Sequence, residues 1–318
     1  MNVTEVPAVP ASESGTRRRR LIVAGFVAAS VIAAAATVWW VATHNPQGPS
    51  VASSPRTSAS PEPSRTPEAT PIAGPTATPN GFAANTQAYD TSSLPSVDVF
   101  GIHPALPVDG DPFGALTEWR VRSSGASAPV FADPTGAPVA ALPRDYEYGG
   151  TTVPVIERQD HWVKVLLVGR EAIPSQGNPA QLAGWLRVVD VEFSTGDTVV
   201  EVSLSARTVD IVRAGVVERI ASDFGSGEQA SPTPVGRAFI MTTRIEPSFG
   251  YTRGNPISYL SVQSSTLDGF AGADVAITAF HYHDARSGAI SNGCIRVTAE
   301  ATQALATLPD GTPVYVRP

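Results

Sequence analysis

The chain contains a single cysteine, Cys294, set in Ser291-Asn292-Gly293-Cys294-Ile295-Arg296, and two histidines stand shortly before it, His281 and His283. A thiol attacks a carbonyl as thiolate, and its free pKa of about 8.5 means that it needs help at neutral pH. Imidazole can supply that help by taking the proton. In an extended chain His281 and His283 share one face, because side chains repeat every two residues. A strand ending at His281 and a loop returning to Cys294 would bring ring and sulfur together, and either histidine can be the base. Gly293 lets backbone amides approach a developing oxyanion without a Cβ in the way. Two other readings use the same residues. A lone cysteine can be a small buried apolar side chain, and His281, His283, Asp284 and Cys294 could ligate zinc. No metal is needed to explain the glycine or the arginine. The expectation is therefore a cysteine–histidine nucleophile pair with no metal and no cofactor.

The elements that must position these residues read as mainly β. Val275–Phe280 is an apolar strand that runs straight into His281. Val199–Leu204 and Thr208–Val212 alternate at period two, Arg213–Val216 is a turn, and Val217–Ala221 pairs back, which makes a meander. Pro232-Thr-Pro-Val-Gly236 is a rigid turn into a strand over 238–242. After Arg296, residues 298–308 predict a short helix with Thr298 as N-cap, Glu300 in the first turn, and Ala301, Leu305 and Leu308 on one face. Pro309-Asp-Gly311 stops it, and Val314–Val316 is expected to close the sheet as a final strand.

Ser291-Asn-Gly-Cys-Ile-Arg296, preceded by a strand-borne histidine and followed by a helix and Asp310-Gly-Thr-Pro-Val-Tyr-Val316, resembles the L,D-transpeptidase catalytic domain (the YkuD-like family). Val202–Arg207 and the Pro232–Arg237 turn are similar to that family's opening, so the resemblance covers residues 198–318. It implies a peptidoglycan acyltransferase in which Cys294 forms a thioester with the third stem residue of a tetrapeptide donor. D-alanine leaves, and the side-chain amine of an acceptor diamino acid then completes a 3→3 cross-link. By the same resemblance His281 is the base and Tyr282 orients it through its backbone carbonyl. The Gly293 and Cys294 amides lie at the oxyanion site by that resemblance, and Ser291 and Arg296 shape the pocket. Asn292 stands where the family often has histidine, and Tyr282 where a small residue is common. The loop between His281 and Cys294 is also short for the family, so His281 and His283 both stay open as the base. A carboxypeptidase acting on the same acyl-enzyme, or a non-catalytic wall-binding protein, are the alternatives.

Upstream, residues 96–192 alternate short apolar runs with Gly, Pro and Asp clusters and predict a small β module. Its His161-Trp-Val-Lys-Val165 and Gly184-Trp-Leu-Arg187 strands resemble bacterial SH3-like domains, which implies a wall-binding or positioning role. His161 reads as structural, and Asp109 with Asp111 as a lone acidic pair too poor in ligands for calcium. Residues 43–95 are rich in Pro, Ser and Thr and form a linker that cannot bury a core. Residues 21–42 are apolar and uncharged, about 22 residues or roughly 33 Å of helix, enough to span a bilayer. Arg17–Arg20 mark 1–20 as a cytoplasmic tail and place the later domains outside the cell. A cleaved signal peptide with a secreted product is the alternative. The net charge of −7 gives nucleic acid no electrostatic footing.

Overall fold

The computed structural model describes residues 80–270 and 274–318. The expected tail (1–20), membrane anchor (21–42) and the linker up to residue 79 lie outside the described residues. Among those described, no helix is long and apolar enough to cross a membrane. The fold is mainly β, with seventeen strands and a single α-helix among the described residues.

The first sheet holds β1 (Trp119–Ser123), β2 (Ser127–Phe131), β3 (Pro138–Pro143), β4 (Val153–Arg158), β5 (Trp162–Leu167), β6 (Leu182–Arg187) and β7 (Val191–Thr195), in the order β3-β2-β6-β5-β4-β1-β7. All its pairings are antiparallel, and the Trp-Val-Lys-Val and Gly-Trp-Leu strands are neighbours, with Lys164 opposite Trp185. The chain packs on this sheet earlier than residue 96. Phe82 and Tyr89 lie against Phe131, Trp162 and Trp185, Trp162 Nε1 donates to Ala83 O at 2.9 Å, and Arg187 donates to the carbonyls of Asn85 and Gln87. A linker running to residue 95 is thus corrected: from residue 80 the chain is bound to the sheet, because its aromatic residues cover an apolar face.

The second sheet holds β8 (Thr198–Ser203), β9 (Thr208–Arg213), β10 (Val216–Ala221), β11 (Gly225–Gly227), β12 (Gly236–Arg244), β13 (Ile257–Gln263), β14 (Ile277–Tyr282), β15 (Gly288–Ser291), β16 (Ile295–Val297) and β17 (Pro313–Arg317). Their order is β10-β9-β8-β17-β12-β13-β14-β16-β11-β15. The meander of β8–β10 forms one edge. The last strand does not close the sheet: β17 inserts between β8, parallel, and β12, antiparallel. Pro313-Val-Tyr-Val is buried throughout, which suits a central strand and not an edge. Helix α1 (Ala299–Ala306) is capped by Thr298, whose hydroxyl accepts from Ala301 N–H at 3.2 Å. It sets Ala301 and Leu305 into the core with Phe280, Ile295 and Val297.

Strand β12 joins the two modules. Ala238 and Ile240 face the core of the second sheet, whereas Phe239 and Met241 are buried in the core of the first. A strand buried on both faces reads as a continuous apolar run, which is what Ala-Phe-Ile-Met is. Beside it, Arg237 makes a bidentate pair with Asp109 at 2.7 and 2.8 Å, both side chains sealed from solvent. Asp109 is therefore not half of a lone acidic pair. Its partner lies on another module, and removing either partner of such a buried pair costs about 3–5 kcal/mol.

Candidate active site

Register places the reactive groups. In β14, Phe280 points into the core, so its neighbours Ala279 and His281 face the other side. In β16, Ile295 and Val297 point into the same core, so Arg296 and the residue before the strand, Cys294, face away from it. The two strands run parallel with Phe280 opposite Ile295 and His281 opposite Arg296. Continuing that register sets Cys294 opposite Ala279, diagonal to His281 on one face of adjacent strands. His281 and Cys294 line the same cavities on that face.

The imidazoles differ in what they offer. His281 Nδ1 lies 2.8 Å from Tyr282 O. A carbonyl can only accept, so Nδ1 carries the proton and Nε2 keeps a free lone pair. His281 is buried. Burial pushes its pKa down to about 4, against the pull of the Tyr282 carbonyl, with Arg296 and His283 adding to the depression. His283 has the reverse tautomer: Ala285 N–H donates to its Nδ1 at 3.0 Å, so Nε2 is the protonated atom. The two rings stand 6.4 Å apart. The Tyr251 ring packs edge-on against His281 at 5.3 Å and fixes its plane.

The thiol sits in a tight turn. Gly293 has φ of +110°, and a Cβ there would lie 3.3 Å from Thr278 Cγ2 and 3.5 Å from Pro232 O. The Pro232–Gly236 segment packs against this turn, which is why the sequence keeps a rigid step there. Ser291 Oγ donates to Cys294 O at 2.6 Å and accepts from Gly293 N–H at 3.2 Å. The Gly293 N–H, expected at the oxyanion site, has the Ser291 hydroxyl as acceptor, so serving an oxyanion means sharing or breaking that bond. Asn292 is exposed and its side chain receives Ser231 Oγ at 3.3 Å. Cys294 is partly exposed, yet close packing pushes its pKa up, with Ala279 and Arg296 favouring the thiolate. Arg296 donates to Ala285 O at 3.4 Å, and its Nε is buried without an acceptor among the described residues.

A raised thiol beside a depressed imidazole makes the resting pair neutral. Pre-formed thiolate–imidazolium would give a flat labelling rate between two pKa values. Here the rate of iodoacetamide labelling of Cys294 is expected to climb steadily from pH 5 through pH 9 with no plateau, as read by intact mass.

Two cavities meet at Cys294 and His281. One, of about 460 Å3, is mainly apolar and is lined by Phe249, Tyr251, Tyr259, Phe270 and Ile277, and by Phe100 and Tyr148 from the first module. The other, of about 270 Å3, is lined by His283, Ser291, Asn292 and Arg296. Tyr251 and Phe270 border both, and neither stood out in the sequence, since each lies in a loop without a pattern of its own. Asp284 does not join the histidines as a ligand. Arg253 and the Tyr282 hydroxyl bind it and hold its pKa down to about 2. Among the described residues no group of three His, Cys, Asp or Glu side chains is placed to hold a metal ion. His161 lies elsewhere, lining a separate cavity with Arg187 and the 84–88 strap.

Residues 197–316 match the family model YkuD, L,D-transpeptidase catalytic domain. No curated protein matches the chain. Among solved structures, the Enterococcus faecium L,D-transpeptidase is 22% identical, covering 38% of this chain and 49% of that one, with a TM-score of 0.26. The chain thus spans about half the length of that protein. An L,D-transpeptidase from Mycobacterium smegmatis is 13% identical over 50% of this chain and 91% of that one, with a TM-score of 0.29. L,D-transpeptidase 3 from Mycobacterium tuberculosis is 15% identical over 50% and 92%, with a TM-score of 0.29. The segment 197–316, which holds the Cys294 turn, His281 and the helix behind them, is the part of this chain that is similar to the YkuD L,D-transpeptidase catalytic domain.

Proposed function

We propose that this protein is a peptidoglycan L,D-transpeptidase acting through a Cys294 thioester. The observation that carries the reading is the placement of Cys294 and His281 on one face of paired strands, with the histidine tautomer fixed so that Nε2 can accept a proton. On attack, the Cys294 proton passes to His281 Nε2 as sulfur bonds to the carbonyl carbon of the third stem residue. The tetrahedral intermediate collapses, the bond to D-alanine breaks, and the leaving amine takes the proton from His281. An acceptor side-chain amine then attacks the thioester, loses its proton to His281, and forms the 3→3 amide. Sulfur leaves and is reprotonated from the same ring. Arg296, a cation that lines the second cavity, suits a stem carboxylate.

A transpeptidase needs two substrates at one thiol, and two cavities border Cys294. That favours transfer to an amine over hydrolysis by a carboxypeptidase. Incubation of the chain with a tetrapeptide-stem muropeptide is expected to give 3→3 dimers and free D-alanine in equal amounts by mass analysis. Tripeptide monomer alone would establish the carboxypeptidase, and unchanged substrate would refute both. In the same reading, residues 21–42 anchor the chain in the membrane and the proline-rich stretch carries the folded part towards the wall.

A further inference from the structure

We propose that the first β module is a working part of the acyl-transfer site: Phe100 and Tyr148 form the far wall of the apolar cavity and recognise an uncharged, mainly aliphatic flank of the donor, and Arg170 positions the loop that carries Phe270. The inference rests on the reading of Cys294 as the acyl-accepting thiol and assigns the substrate contact to residues outside the matched catalytic segment.

The wall is built, not incidental. Phe100 and Tyr148 pack edge to face, with centroids 5.0 Å apart. The turn carrying Phe100 is tied to the catalytic sheet by Gln263, whose Nε2 donates to Val99 O at 2.8 Å. The other end of that amide accepts from Ala276 N–H at 2.9 Å, next to β14. Gln263 is buried, so one side chain couples the wall to the strand that leads to His281. Tyr148 is fixed by the glycines after it. Gly150 N–H donates to Met241 O at 3.0 Å. At Gly149, which has φ of +74°, a Cβ would lie only 2.4 Å from Met241 O. No residue larger than glycine allows this approach to β12.

Leu267, Asp268 and Asp274, between β13 and β14, are held from the same module. Arg170 is fully buried, and its guanidinium donates to the carbonyls of Leu267, Asp268 and Asp274. Ser175 N–H donates to Asp268 Oδ1 at 2.9 Å. These bonds hold residues close to Phe270 and next to Val275, which line the cavity.

The chemistry of the wall selects an uncharged ligand. The cavity's two charged side chains, Arg244 and Glu246, are paired with each other. Arg244 is also covered by the rings of Tyr148 and Tyr259, at 4.9 and 5.7 Å. What remains is aromatic and aliphatic surface leading to sulfur. It fits the methyl and methylene groups of alanyl and diamino-acid residues.

The test compares two thiol reagents on the full chain. N-benzylmaleimide is large and apolar enough to reach the wall, whereas iodoacetamide is not, so the ratio of their Cys294 labelling rates by intact mass reports the wall and not thiol reactivity. Phe100→Ala and Tyr148→Ala are each expected to lower this ratio about fivefold to tenfold, the worth of a lost apolar contact in a pocket. Tyr148→Phe should restore it, because only the ring is used. Arg170→Lys, which keeps a cation but not the fork, should lower it as well. A ratio unchanged in both alanine variants overturns the proposal. Stem-peptide turnover by the wild-type chain is measured alongside: its absence would sink the transpeptidase reading while the ratio still decides whether the wall exists.

Discussion

Cys294→Ala is expected to abolish every covalent adduct of this chain with a carbapenem, while the wild type gains one equivalent by intact mass. The expectation is all-or-none because the chain has no other thiol to substitute for the lost one. A carbapenem carries a strained amide that a thiolate opens, leaving an acyl group on sulfur, so it stands in for the donor carbonyl. The substitution removes one partly exposed atom on the cavity side. The core behind it, Phe280, Ile295 and Val297, is untouched, so the melting temperature should move by no more than about 2–4 °C. An adduct that survives in the alanine variant would place the nucleophile on another side chain. A wild type that forms no adduct, yet melts cooperatively, would leave the wall-binding reading as the better one.

The neutral resting pair bears on how that adduct forms. Burial acts on both partners in the same sense, lifting the thiol and depressing the imidazole. Each is thereby held towards its uncharged form, so in the proposed reaction the proton moves as the carbonyl arrives and not before. The same shift has a consequence for stability. A histidine whose folded pKa is about 4, against about 6.5 unfolded, binds fewer protons when folded between those values. Its contribution to stability is intact above about pH 6.5 and declines as pH falls towards 4.

The thiol turn, the strand into His281 and the helix behind them were legible because each is local. Val275–Phe280 is an apolar run that leads straight into His281, Thr298 caps three residues ahead, and Gly293 next to a lone cysteine marks a turn. Long-range partners leave no such trace. Asp109 meets Arg237 across 128 positions of chain, and nothing near either residue announces the other. Phe100 and Tyr148 belong to another module and reach the cavity only because β12 is shared between two cores. Val314–Val316 reads as a strand from composition alone. Its place between β8 and β12 depends on a parallel pairing with residues some hundred positions earlier, which periodicity cannot encode.

His281→Gln is expected to lower the acylation rate of Cys294 by about a thousandfold, in the range that a lost general base costs, whereas His283→Gln should lower it by about tenfold at most, the worth of one hydrogen bond. The sequence leaves both rings open; the hydrogen bonds separate them. A ring whose Nδ1 gives its proton to Tyr282 O has only Nε2 left to act, and there it is a base. A ring whose Nδ1 accepts from Ala285 N–H has a proton on Nε2 and can only donate. Glutamine can fill either space and make hydrogen bonds, so packing loss cannot mimic the result, but it cannot take up a proton near neutrality. The decisive reading is the ratio between the two variants at pH 7, measured as adduct formation over time. Equal losses would mean that the rings act together, and a larger loss at His283 would mean that the tautomers exchange when substrate binds.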